Sequence, residues 1–152
     1  MISHRTASQH MRTQATEQVP VPDVHVRIGS DTSAGRIALI ETVEVPGAEP
    51  PYHRHQETDI LIYVVAGELT LYLAGAAIAA PAGSAHWVPC GTEYTFAVVS
   101  PQAYVLTLFL PAGFEQFYTE LGAAPWSAVE RSIAAAARYG CEITAPHPRT
   151  GY

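Results

Sequence analysis

The sequence predicts an all-β barrel forming a single domain, and three observations lead there. Residues 24–110 alternate apolar and polar side chains in short runs, the period of strands with one buried face. Turn signals interrupt those runs: Pro46-Gly47, Ala66-Gly67, Gly75, Pro81-Ala82-Gly83, Pro89-Cys90-Gly91 and Ser100-Pro101. The chain has 152 residues, enough for one real core and too few for two domains of ordinary size.

Residues 1–18 mix Ser, Thr, Gln, His and Arg without an apolar block, which predicts a disordered segment rather than a signal peptide or membrane span. His4, His10 and His25 fall in or near it, have no partner at ligand spacing, and read as solvent-exposed. The barrel is expected over 19–111, with strands at 24–28, 35–45, 52–56, 60–66, 68–73, 76–79, 86–89, 94–99 and 103–110. Leu69, Leu71 and Leu73 alternate with Glu68, Thr70 and Tyr72, so one face of that strand turns inward. Ile60, Ile62 and Val64 supply the matching inward face, and the same alternation turns Tyr63 and Trp87 outward. Residues 112–152 are expected to form a helical extension packed on the barrel. Stretches 113–121 and 127–139 lose the alternation, and Gly122 and Gly140 stand where helix C-caps belong. Phe114, Phe117, Tyr118 and Leu121 lie at helical spacing, the face that packs on the barrel.

Composition narrows the partners. Hydrophobic residues make up 48% and charged residues 14%, a surplus of apolar surface that predicts a homodimer. The formal net charge is −6 and Lys is absent, which leaves no basic stripe for nucleic acid. No apolar run reaches membrane length, so no membrane partner and a cytoplasmic location are expected. Cys90 and Cys141 lie far apart with no CxxC or zinc-type spacing, and read as two reduced thiols.

The candidate chemistry lies at His53 and His55. On an extended strand, residues i and i+2 project to one side, close enough for two imidazoles to share one metal ion. Two exposed histidines would show the same pattern, so the setting carries the weight: Gly47 before, Gly67 after, and a second Gly/Pro-marked hairpin downstream.

That combination resembles the cupin family, specifically the small single-domain quercetin-dioxygenase-like cupins, over residues 35–139. The resemblance implies a cupin-type jelly-roll β-barrel followed by two C-terminal helices. In the first motif of the family, Gly47, His53, His55 and Gly67 fill their places. The metal-binding Glu of the family would stand at Ile60, and Asp59 is one place off, on the opposite face of a strand unless a bulge re-aims it. The second motif matches either as Gly75, Pro81, Gly83, His86 or as Gly83, Pro89, Gly91, Tyr94. The second register keeps the usual spacing, puts Tyr94 in the position of the last histidine ligand, and makes His86 an additional inward imidazole.

Two readings of the site follow. His86 supplies a third nitrogen to a metal site with His53 and His55, with Tyr94 as ligand or proton donor, the ion being Fe, Ni, Cu or Zn. Alternatively no metal is present, and His53, His55, His86 and Tyr94 form a polar cluster for acid-base work. The family resemblance implies a small-molecule enzyme acting on an aromatic, enol or polyketide-like substrate by dioxygenase- or cyclase-type chemistry. A metal-independent cyclase or isomerase relying on His86 and Tyr94, and a non-catalytic ligand-binding module, are the alternatives.

Overall fold

The computed structural model describes residues 22–122, 126 and 129–151; the segment expected to be disordered, with His4 and His10, lies outside them. The described residues form two five-stranded antiparallel sheets facing one another. The first has the order β1 (Asp23–Ile28), β2 (Ala38–Glu44), β9 (Ala103–Leu110), β4 (Asp59–Ala66), β7 (Ala85–Val88). The second runs β10 (Cys141–Ala145), β3 (Tyr52–His55), β8 (Tyr94–Val98), β5 (Glu68–Leu73), β6 (Ala76–Pro81). The alternation predicted an all-β barrel, and the family resemblance implied this jelly-roll arrangement.

The inward faces follow the pleat. Ile60, Ile62 and Val64 of β4 are buried, as are Leu69 and Leu71 of β5, Ala38 and Ile40 of β2, and Val105 and Phe109 of β9. Their partners at odd or even offset point outward, and Tyr63 and Trp87 are exposed as the period required. Gly67 explains its own place in the turn between β4 and β5. It has φ +80°, and a Cβ there would meet the Gln102 carbonyl oxygen at 2.4 Å, so only glycine fits.

Helices occur only in the connections from β1 to β2 and from β9 to β10 among the described residues. α1 (Ser30–Ser33) precedes β2, and α2 (Glu115–Leu121) is closed by the Gly122 N–H donating to the Tyr118 carbonyl at 2.8 Å. α3 (Val129–Arg138) buries Ser132, Ala135 and Ala136, small side chains that let the helix pack against β10. Gly140, with φ +75°, then reverses the chain.

The end of the chain differs from the expectation of helices alone. After α3 the segment Cys141–Ala145 adds β10 to the edge of the second sheet, antiparallel to β3. Five residues, of which only Cys141 is fully buried, are too short to stand out beside a ten-residue helix, and their pairing partner lies far away in sequence. No helix among the described residues is long and apolar enough to cross a membrane.

Candidate functional site

β3 carries the histidine pair on its inner face. His53 and His55 are 4% and 3% exposed, while Arg54 between them points out and pairs with Glu142 of β10 at 2.9 Å. Their rings lie edge to face with centroids 5.3 Å apart. The His53 Nδ1–H donates to the Pro51 carbonyl at 2.8 Å, a bond that fixes the tautomer and leaves the Nε2 lone pair facing the interior. Burial pushes the His53 imidazole down to about 4, so it is neutral at physiological pH. His55 is held well below the ordinary histidine range, first by burial and then by His53 beside it.

Both ring nitrogens of His55 are buried with no hydrogen-bond partner. A fold does not leave two such atoms unpaired for packing's sake, since each costs about 1–3 kcal/mol. The pairing of β10 with β3 sets Cys141 directly opposite His55, hence on the same inner face. Cys141 is buried, and desolvation pushes its thiol up to about 12. The donor atoms of His53, His55 and Cys141 all lie within 4.8 Å of one another. Two neutral imidazoles and a sulfur at that separation fit a transition-metal ion, and the unpaired His55 nitrogens are the observation that favours it.

Tyr94 of β8 is paired with His53 across the sheet, its ring 4.4 Å away, centroid to centroid. Burial and the neighbouring Tyr118, Cys141 and Glu44 keep its phenol protonated far above neutral pH. Ile60 is fully buried on the inner face, where an acid was sought. Asp59 does not replace that acid, because its carboxylate accepts the Cys90 backbone N–H at 2.8 Å on the outer side.

His86 does not join the histidine pair. It lies on β7, the outer strand of the facing sheet, opposite Ile62 and half-buried, with its Nε2 2.9 Å from the Ser84 hydroxyl. The buried group of donors is completed by Cys141 instead. His25 is exposed and pairs with Asp23. His147, which the motif reading passed over, is buried but fully used: its Nε2–H donates to the Phe96 carbonyl, and its Nδ1 accepts the backbone N–H groups of Arg149 and Thr150.

Glu44 is the residue sequence reasoning missed. On β2 it continues the inward series Ala38, Ile40, Thr42, and it lines one cavity with His53, Tyr94, Tyr118 and Trp126. Removal from water raises its carboxyl to about 7. A charged residue on the apolar side of an alternating strand was the available signal. The cavity itself is small, about 30 Å³, roughly the space of one water molecule. Aromatic side chains fill the rest: Phe114 lies against His55 at 4.4 Å between ring centroids and Trp126 stacks on His53 at 6.1 Å. Phe114 also lines a larger cleft of about 380 Å³ with Gln56, Thr58, Gln116 and Tyr139. The Phe114 ring thus lies between that cleft and His55.

The double-sheet barrel thus carries an inward histidine pair, a Gly-marked turn after it and a second hairpin strand opposite. Residues 40–110 match the cupin domain. Similar solved structures include KdgF from Halomonas sp., with 22% identity over 64% of this chain and 86% of that one, TM-score 0.57. A predicted oxalate decarboxylase from Thermotoga maritima has 13% identity over 59% of this chain and 80% of that one, TM-score 0.56. The polyketide cyclase RemF from Streptomyces resistomycificus has 26% identity over 59% of this chain and 64% of that one, TM-score 0.51. No curated protein matches the chain in sequence.

Proposed function

We propose that the protein is a small-molecule cupin enzyme that uses a divalent transition metal at His53 and His55 on an aromatic, enol or polyketide-like substrate. The unpaired, buried ring nitrogens of His55 carry this reading, together with the Nε2 lone pair that the Pro51 carbonyl frees on His53. The likeness to the polyketide cyclase RemF supports the substrate class. The metal would supply Lewis acidity toward a substrate oxygen, or a site for dioxygen.

The chain's own residues do the rest. Tyr94 stays protonated beside His53 and can donate a hydrogen bond to a substrate oxygen. Glu44, with its carboxyl raised to about 7, can hold or release a proton near neutral pH from the opposite wall of the same cavity. Phe109, Phe114 and Trp126 pack on the His53 and His55 rings and keep bulk water away from the pair, which strengthens each polar interaction there. The substrate's bulk would occupy the cleft beside Phe114, whose lining offers the Gln56 and Gln116 amides as polar contacts.

The test is turnover of a panel of phenolic, enol and polyketide-type compounds by chelator-treated protein, before and after adding back single metals. Activity that needs the metal and disappears in His53→Ala supports the proposal. Equal turnover by metal-free protein overturns it.

A further inference from the structure

The histidine pair lacks the carboxylate that the family motif would bring from β4, since Ile60 occupies that place. An ion bound by two neutral imidazoles alone would keep its full charge in a buried, aromatic-lined interior, an expensive arrangement. An anionic donor is therefore needed from elsewhere in the fold, and the described residues offer a sulfur at the right place.

We propose that Cys141, on β10, is the third protein ligand of the ion held by His53 and His55; this deepens the metal reading above and rests on it. The register of β10 on β3 places Cys141 opposite His55, and the outer-face pair Arg54–Glu142 one position along pins that register. Three independent facts converge on one point. The donor atoms of the trio lie within 4.8 Å of one another, Cys141 is 2% exposed, and His55 presents two buried nitrogens without partners. A tetrahedral ion with bonds of about 2.0–2.3 Å to nitrogen and sulfur holds its donors roughly 3.5 Å apart, so closure asks for about an ångström of side-chain movement. On binding, the thiol proton leaves to solvent and the sulfur remains as thiolate, which restores the single negative charge lost with the missing carboxylate.

A two-imidazole, one-thiolate set is softer than the histidine and carboxylate set of the family motif. It favours Zn, Cu or Fe over Mg, Ca or Mn, and leaves a fourth position toward the cavity beside Tyr94. It also makes the C-terminal strand part of the site. The cupin match ends at residue 110, so the ligand comes from the segment that follows it.

Cobalt(II) titration of the full-length, chelator-treated protein tests this without any substrate. Wild-type protein is expected to show visible d–d absorption together with a near-ultraviolet sulfur-to-cobalt charge-transfer band. Cys141→Ser should lose the charge-transfer band and bind cobalt roughly tenfold or more weakly. Cys90→Ser should keep the band, because Cys90 is exposed and stands outside the donor trio. Cobalt binding by wild type without a charge-transfer band overturns the thiolate ligand while leaving the histidine site standing, and it does so whether or not the Cys141 variant folds. A band that survives in Cys141→Ser, or is lost in Cys90→Ser, overturns it as well. No cobalt binding by wild type removes the metal reading and this inference together.

Discussion

Replacing His55 by Leu in the metal-free protein should make the fold more stable. His55 is 3% exposed, its two ring nitrogens find no partner, and its ring touches Phe109 and Phe114. Each unsatisfied buried polar atom costs about 1–3 kcal/mol, so removing both recovers about 2–6 kcal/mol. Exchanging a flat ring for a branched aliphatic side chain of similar size returns up to about 1.5 kcal/mol of that. With that cost taken in full the net gain is about 0.5–4.5 kcal/mol, or roughly 1–18 °C in Tm for a chain of this length. Urea denaturation of chelator-treated wild type and His55→Leu, followed by tryptophan fluorescence, reads the difference as a higher midpoint at unchanged slope. Adding a tight-binding metal at about 100-fold over its Kd should raise the wild type by about 2.7 kcal/mol and leave the variant unmoved. A variant less stable than metal-free wild type by about 1 kcal/mol or more would refute the reasoning. It would mean that the fold itself satisfies the imidazole.

Glu44→Gln should leave metal content unchanged and lower kcat by roughly a hundredfold, with loss of the pH-rate limb near 7, as read from steady-state profiles against pH. Acid should destabilise the metal-free protein through the histidine pair. His53 falls from 6.5 to about 4 on folding, so its contribution is fully present above pH 6.5 and is lost as pH falls from there to about 4. At about 1.4 kcal/mol for each tenfold change in proton affinity, that is about 3 kcal/mol, with His55 acting in the same direction. Denaturation midpoints at pH 7 and pH 4.5 measure it, and His53→Phe should flatten the difference.

The barrel was legible because its signals are local. Leu69 and Leu71 alternate with polar neighbours, Gly67 marks a turn where no Cβ fits, and both features survive in three dimensions unchanged. Spacing offered two registers for the second motif, and Tyr94, the last residue of the second, stands opposite His53. What the sequence could not carry was convergence between distant strands. Cys141 reaches His55 only because α3 and the turn at Gly140 return the chain to the open edge of β3. His86 has inward parity, yet its strand is the far edge of the other sheet and Ser84 takes its nitrogen. Parity fixes a face but not a distance. The filling of the interior by Phe114 and Trp126 was equally hidden, since helical spacing shows which side chains pack and not what they cover.

Elemental analysis of protein purified without chelator measures the metal centre most directly. The proposed function predicts one first-row transition-metal ion per chain, absent from His53→Ala and His55→Ala prepared alongside. Wild-type protein that carries no such ion and takes none up on dialysis against zinc, iron, nickel or copper would contradict it.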